Sequence, residues 1–351
     1  MEQVSVKQNK QKYGAIDGLR TMACFGVAAM HVAANSSYEI NGFLYEDVIG
    51  AFTNFVYLFM VISAFGMCCG YYDKMLGKNT NGIAQISFSS FYKKRFLKVL
   101  PFFACLCILD FVLAPSVNTA YEVFADLTLM FGLFPNAGNI SVIGVGWFLG
   151  LIFVFYLLFP FFCVLIETKR RAWISFVLSL IYNYIGSVYF EVGRTNILYS
   201  ACFFFAGGLI YLYRTEIVEW GRKAGWHRWL MLCAVWLSVV FYFGVNSIIY
   251  GCILVSVTLL AYAVAVSKNC DIDRGGVFEN KFTKFISGIS MEIYLCHMVM
   301  FRVVEKTGLN TMFGNGWMQY FITVLMVLTA SVVFAVVMQK MIGWIEGRVL
   351  R

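Results

Sequence analysis

The sequence predicts an all-α, polytopic membrane protein with about ten transmembrane helices. Hydrophobic residues make up 60% of the 351 residues and charged residues only 13%, and the mean hydropathy is +0.75. A soluble domain of this length could not bury so much apolar surface in one core. We expect Pro160 to kink the fourth apolar run. The runs of membrane-spanning length lie near residues 15–35, 50–72, 97–114, 147–166, 172–190, 197–213, 228–245, 247–267, 285–304 and 318–342.

The positions of the basic residues predict the orientation of the chain. Lys and Arg accumulate in short cytoplasmic loops, and an N-terminus inside the cell puts 23 of the 27 basic residues on that side. We therefore expect a multi-pass protein of the plasma or inner cell membrane with both termini cytoplasmic. The same bias explains the formal charge of +8. The expected surroundings are then a lipid bilayer, and a nucleic acid partner is not implied.

A shorter apolar run, at residues 120–134, lies between Pro115 and Pro135. If this run crossed the bilayer, the basic segment that begins at Lys169 would face outward, against the charge bias. We therefore expect a re-entrant or outer-surface helix, with residues 115–146 outside and a glycine-rich return of the chain to the fourth span.

The first apolar run contains two ionisable residues, Arg20 and His31, and such residues inside a membrane span mark functional sites by default. Eleven helical residues return to within about 20° of the starting direction, so the two side chains share one face, roughly 16 Å apart along the axis. Two alternatives stay open: an Arg20 that snorkels at the cytoplasmic interface beside Asp17, and a His31 with a structural role. Small and polar residues continue the shared face, which predicts a cavity or tunnel lining: Asp17, Cys24, Ala28 and Asn35.

The third apolar run begins with the basic cluster FYKKRFLKVLP. Arg95 and Lys98 lie one helical turn apart on one face, near a helix N-terminus whose dipole favours phosphate groups. Lys94 adds a third positive charge beside them. The cluster therefore predicts a binding site for a cytoplasmic, phosphate-rich donor, and simple anchoring on the cytoplasmic side is the alternative.

A second group of polar residues lies in the segment SGISMEIYLCH. Ser290, Tyr294 and His297 follow helical spacing and are expected to share one face, whereas Glu292 should point elsewhere. Hydrogen bonding between helices and a direct part in catalysis are both open for this face.

No metal centre is expected from the sequence. The three histidines have neither His-x-x-x-His nor Glu-x-x-His spacing, and the 11 cysteines include no C-x-x-C pair. Most of the cysteines fall in predicted spans, where they act as small buried hydrophobic residues.

Taken in chain order, five segments resemble the acyltransferase 3 family of integral membrane acyltransferases: IDGLRTMACFGVAAMH, FMVISAFGM, KKRFLKVLP, WFLGLIFVFYLLFP and SGISMEIYLCH. The resemblance implies a single ten-span O-acyltransferase domain over residues 1–351. Such an enzyme moves an acyl group, often acetyl, from cytoplasmic acyl-CoA to a carbohydrate or lipid-linked glycan outside, without a permanently bound cofactor. The family's Arg-x10-His pair falls on Arg20 and His31, and its Arg-x-x-Arg pair falls on Arg95 and Lys98.

The sequence departs from the family pattern at two places. Lys98 replaces the second arginine, which keeps the charge but loses the bidentate fork. Many sugar-modifying members carry a glutamate before the Tyr and Pro of the fourth span, and the stretch from Trp147 to Pro160 has no acidic residue. The second departure leaves the acceptor open.

Acyl transfer from a thioester to an alcohol requires a base for the hydroxyl proton and stabilisation of the oxyanion. We expect His31 to be that base, because imidazole accepts protons near neutral pH. Arg20 is too distant to touch the same atom and is expected to hold the phosphates or pantetheine arm of the donor. The thioester would then reach the acceptor through a tunnel.

Two other functions compete with this interpretation. A secondary transporter or flippase of a small anionic or glycan substrate also uses intramembrane charges and re-entrant segments, although the chain shows no obvious two-half repeat. A membrane sensor without catalysis would leave His31 unexplained.

Overall fold

The structure, a computed structural model, describes residues 12–77, 86–113, 115–129, 131–134, 144–244, 248–267 and 276–349. These residues form α-helices joined by short turns and include no β-strand, which confirms the all-α class. The fourteen helices within these ranges are α1 (Ala15–Ala34), α2 (Phe55–Met75), α3 (Phe88–Leu113), α4 (Val117–Leu127), α5 (Trp147–Leu157), α6 (Phe159–Leu165), α7 (Lys169–Tyr189), α8 (Ile197–Leu212), α9 (Arg214–Lys223), α10 (Gly225–Gly244), α11 (Ile248–Val266), α12 (Lys281–Gly288), α13 (Ser290–Lys306) and α14 (Gly316–Val349).

All ten predicted apolar runs fall on these helices, and the chain is a helical membrane protein. By length and composition, five helical segments of the described chain are suited to cross a bilayer, and three bent helix pairs raise this number to as many as eight. Helices α1 and α3 are not among the eight, and both carry charged residues, including Arg20 and Lys98. The number of ten spans therefore stays a prediction. The five segments are Leu44–Met75, Lys169–Tyr189, Gly225–Gly244, Ile249–Val266 and Gly316–Ile345.

Sharp bends join three pairs of helices: 61° between α5 and α6, 60° between α8 and α9, and 70° between α12 and α13. The first bend lies just before Pro160, so the predicted kink is confirmed. Proline lacks an N–H group, and its ring clashes with the carbonyl four residues earlier, which breaks the helical ladder. The third bend corrects a prediction, because residues 285–304 were expected to form one continuous span and are divided at Ile289.

Helix α4 belongs to the segment, residues 115–146, that is expected to stay outside the bilayer. Its 11 residues extend for about 16 Å, much less than the ~30 Å of a hydrocarbon core. The described residues that follow form only turns, including the short 3₁₀ turn Phe131–Leu133. A position on the outer surface, or a re-entrant one, stays a prediction. Residues 135–143, which belong to the expected glycine-rich return, lie outside the described residues.

Helix α1 occupies the centre of the helical assembly. It packs against α2, α11, α12, α13 and α14. The Thr21 hydroxyl donates a 3.2 Å hydrogen bond to the carbonyl oxygen of Thr283, and the Ser287 hydroxyl donates one of 2.6 Å to Asp17 Oδ1. Two polar side chains of α1, Asp17 and Thr21, are therefore satisfied by groups of α12, as the cost of a polar group in hydrocarbon requires.

Reporter insertions at Asn118 in α4 and at Lys169 in α7 are expected to report opposite sides of the membrane. The physical reason is the concentration of basic residues on one side of the predicted topology. The measurement pairs a phosphatase that is active only outside the cytoplasm with a fluorescent protein that folds only inside it. An insertion at Arg214 should report the same side as Lys169 and serves as the control. Equal signals at Asn118 and Lys169 would contradict the ten-span topology.

Candidate active site

A cavity of about 360 Å³ lies between α1, α2, α3, α5 and the bend that joins α12 to α13. Its volume is typical of small-molecule sites, which occupy about 300–1,000 Å³. Three cationic side chains line it: Arg20, Arg95 and Lys98. The sequence singled out each of them separately, and the structure brings them to one cavity. Lys94 is exposed and is not among the residues that line the cavity.

Two tyrosines hold the guanidinium group of Arg95 in place. Its Nη2 atom donates a 2.5 Å hydrogen bond to the hydroxyl of Tyr71. Its Cζ atom lies 4.8 Å from the ring centroid of Tyr71 and 5.8 Å from that of Tyr156, distances at which a cation is attracted to the ring face. The Nε atom of Arg95 is buried and has no hydrogen-bond partner among the described residues. Arg95 is thus fixed in orientation in the lining of the cavity.

Arg20 reaches the cavity from α1, opposite Gly66 of α2. A Cβ atom on Gly66 would lie 3.6 Å from Arg20 Nη2, an ordinary contact distance, so the guanidinium of Arg20 lies beside the backbone of α2. Asp17 accepts its hydrogen bond from Ser287, and no ion pair between Asp17 and Arg20 occurs in the described part of the chain. The pairing on which the snorkelling alternative rested is therefore not found.

Glu292 also lines the cavity, together with Ser290 and Tyr294, and the expectation that its side chain points from a different face of the helix stays a prediction. Helix α13 begins at Ser290, and residues of a first helical turn can border the same cavity at the end of the helix. Glu292 Oε1 accepts a 2.7 Å hydrogen bond from Gln339 Nε2 of α14. It is the carboxylate that faces the three cations.

The cavity changes from charged to aromatic along α5. Phe148 and Tyr156 both line it, and they lie eight residues apart on one helix, about 12 Å along the axis. Arg95 stacks at the Tyr156 end. At the other end, the ring centroid of Tyr294 lies 5.3 Å from that of Phe148 and 6.1 Å from that of Phe59. One end therefore suits anionic groups, and the other suits an uncharged chain.

His31 does not line this cavity but forms a pair with His297 of α13. The two ring centroids lie 5.1 Å apart, with 40° between the ring planes. His297 is only 1% exposed, and its ring lies 5.8 Å from the ring of Tyr294, which does line the cavity. The histidine pair thus adjoins the aromatic end of the cavity. The sequence singled out both histidines but gave no sign of their contact, because they belong to opposite ends of the chain.

The structure offers little that could hold a metal. In the part of the chain that it describes, no group of three or more His, Cys, Asp or Glu side chains is placed to bind a metal ion.

Together, the fold and the site define a polytopic helical membrane protein with an internal cavity lined by cations and, next to its aromatic end, a pair of histidines. The chain belongs to the acyltransferase 3 family, whose model, described as an acyltransferase domain, matches residues 13–336. The matched range contains every residue of the cavity and both histidines. No curated protein and no solved structure matches the chain. Family membership confirms the resemblance and favours acyl transfer over the transporter and sensor alternatives.

Proposed function

We propose that the protein transfers an acyl group, acetyl in the simplest case, from cytoplasmic acyl-CoA to a hydroxyl group of an extracytoplasmic or lipid-linked carbohydrate. The observation that carries the proposal is the polarity of the cavity: three cations line it, Arg95 lies at its Tyr156 end, and the rings of Phe59, Phe148 and Tyr294 meet at the other. Acyl-CoA has a matching polarity, because anionic phosphates lie at one end and an uncharged pantetheine arm carries the thioester at the other.

In this proposal, Arg20, Arg95 and Lys98 bind the phosphate groups of the donor. Charge-assisted hydrogen bonds are the strongest polar contacts available for this purpose, and Lys98 contributes a point charge without a planar fork. Lys94 lies outside the cavity and adds long-range attraction at the cytoplasmic mouth, an effect that salt would screen. The aromatic end receives the pantetheine arm and directs the thioester toward His31.

His31 is the general base of the proposed reaction. It removes the proton of the acceptor hydroxyl as the oxygen attacks the thioester carbonyl, which forms the new C–O bond. Collapse of the tetrahedral intermediate breaks the C–S bond, and the CoA thiolate leaves and takes the proton from His31. The base is thereby regenerated, and the reaction needs no permanently bound cofactor.

The distance between the two ends of the site supports transfer across the membrane. Arg20 and His31 lie roughly 16 Å apart along α1, which is about half of a ~30 Å hydrocarbon core. With Arg20 near the cytoplasmic side, as the loop charges predict, His31 lies in the outer half of the bilayer. The donor then enters from the cytoplasm, and the acceptor approaches from outside.

Purified protein in lipid nanodiscs is expected to cleave radiolabelled acetyl-CoA slowly without an acceptor and faster when a glycolipid fraction is added, with label passing to the glycolipid. In sealed vesicles, cleavage should require acetyl-CoA on the cytoplasmic face, because the proposal puts the cationic end of the cavity on that side. Vesicles of the opposite orientation are the matched control. A transporter would accumulate its substrate without cleaving a thioester, and absence of CoA release under all these conditions would contradict the proposal.

A further inference from the structure

We infer that His297 is a positioning residue for the transfer reaction: it accepts a hydrogen bond from the ring of His31 and so turns the basic nitrogen of His31 toward the acceptor hydroxyl. The inference rests on the proposed function, in which His31 is the general base. It assigns a role to a second histidine that lies on another helix and does not touch the donor cavity.

The backbone of α13 determines which nitrogen of His297 carries the proton. His297 Nδ1 lies 2.6 Å from the carbonyl oxygen of Tyr294. A carbonyl oxygen can only accept a hydrogen bond, so Nδ1 must be the donor. In the neutral ring, Nε2 then has a lone pair and acts only as an acceptor.

This acceptor needs a donor, because His297 Nε2 is buried and has no hydrogen-bond partner among the described residues. A buried acceptor without a partner destabilises the protein. The hydroxyl of Tyr294, the other ring next to His297, already donates to the carbonyl oxygen of Val145 at 3.3 Å. Of the two described rings that contact His297, the ring of His31 is therefore the one that can supply a donor.

The distance between the two rings allows the hydrogen bond. With centroids 5.1 Å apart, a small rotation about the side-chain bonds brings one nitrogen of each ring to an N–H···N distance of about 2.7–3.2 Å. Helices α1 and α13 pack directly against each other, which keeps the two rings side by side.

The consequence of this bond concerns the tautomer of His31. One of its nitrogens donates to His297, so the other keeps its lone pair and faces the substrate. A carboxylate that orients a catalytic histidine has the same function in hydrolases. His297 differs in being neutral, so it fixes the tautomer and direction of the base and adds no opposing charge. When His31 has taken the proton of the acceptor, it still donates to His297 through the same N–H.

Two substitutions separate a positioning role from a merely structural one. His297→Asn can keep an amide N–H for the carbonyl of Tyr294 but has no atom at the position of Nε2, whereas His297→Gln can place a carbonyl oxygen there. We expect His297→Asn to lower kcat by about 10²-fold with the Kd for acetyl-CoA unchanged. His297→Gln should recover about tenfold of this loss, since it restores only the acceptor. Equal kcat values for the two variants, with equal unfolding temperatures, would overturn the inference.

A second measurement does not depend on variants at position 297. The chain has three histidines, so nitrogen NMR of histidine-labelled protein resolves each ring. We expect His297 Nε2 to show the signal of a hydrogen-bonded lone pair, which becomes that of a free lone pair in His31→Ala. A free lone pair in the unmodified protein would overturn the inference. If the unmodified protein shows no acyl transfer, the proposed function is contradicted. The NMR signal of His297 would still show whether the hydrogen bond to His31 exists.

Discussion

His31→Ala is expected to lower the rate of acyl transfer by about 10²- to 10⁴-fold, the usual contribution of a positioned general base. Acyl-CoA binding should stay nearly unchanged, because His31 lies beyond the aromatic end of the cavity and does not line the part that holds the cations. The measurements are kcat with a labelled donor and the Kd of acetyl-CoA by calorimetry.

The third histidine provides the matched control for this variant. His227 stacks on Trp226 with ring centroids 4.0 Å apart and does not line the cavity. His227→Ala should therefore leave both kcat and Kd unchanged. If His31→Ala keeps near-normal turnover, the base lies elsewhere, with His297 as the first candidate, and the proposed role of His31 is wrong.

Arg95→Ala is expected to weaken acyl-CoA binding by roughly ten- to a hundredfold. A hydrogen bond to a charged group contributes about 1.5–3 kcal/mol, and the two tyrosines that stack on Arg95 hold its guanidinium ready for such a contact. Arg20→Ala should impair turnover as well as binding, because the proposed role of Arg20 is to hold the donor that His31 acts upon. The Kd of acetyl-CoA in calorimetry checks both variants.

Lys93 offers the matched control, since it belongs to the same basic cluster but is exposed and does not line the cavity. Lys93→Ala should change the Kd at most slightly, and the difference should vanish at high salt. An unchanged Kd in a folded Arg95→Ala protein would contradict donor binding by the basic cluster. Anchoring on the cytoplasmic side would then explain the cluster.

Helical spacing within a single segment was enough to predict much of the cavity. Arg20 lies on the polar face of α1, and Arg95 and Lys98 lie one turn apart on α3, as their positions in the sequence require. The position of Pro160 in the sequence likewise predicted the bend between α5 and α6. These features depend on residues close together in the chain, where the geometry of one helix decides the outcome.

The remaining features depend on contacts between distant segments. No periodicity relates His31 to His297, so their pairing could not be predicted from either helix alone. No proline near Ile289 predicts the bend there, and the first turn of α13, which follows this bend and includes Glu292, borders the cavity. Tertiary packing thus determined what local pattern left open.

The hydrogen bonds between α1 and α12 join segments that the ribosome makes at very different times. Thr21 and Thr283 are 262 residues apart, and Asp17 and Ser287 are 270 apart. At roughly 5–20 residues per second, the ribosome needs about 10–50 s to supply these partners. During this interval the polar side chains of α1 lack these partners, and their exposure to lipid costs free energy. A nascent chain that stops before α12 would lack the Ser287 hydroxyl that donates to Asp17, and we expect proteases to degrade it.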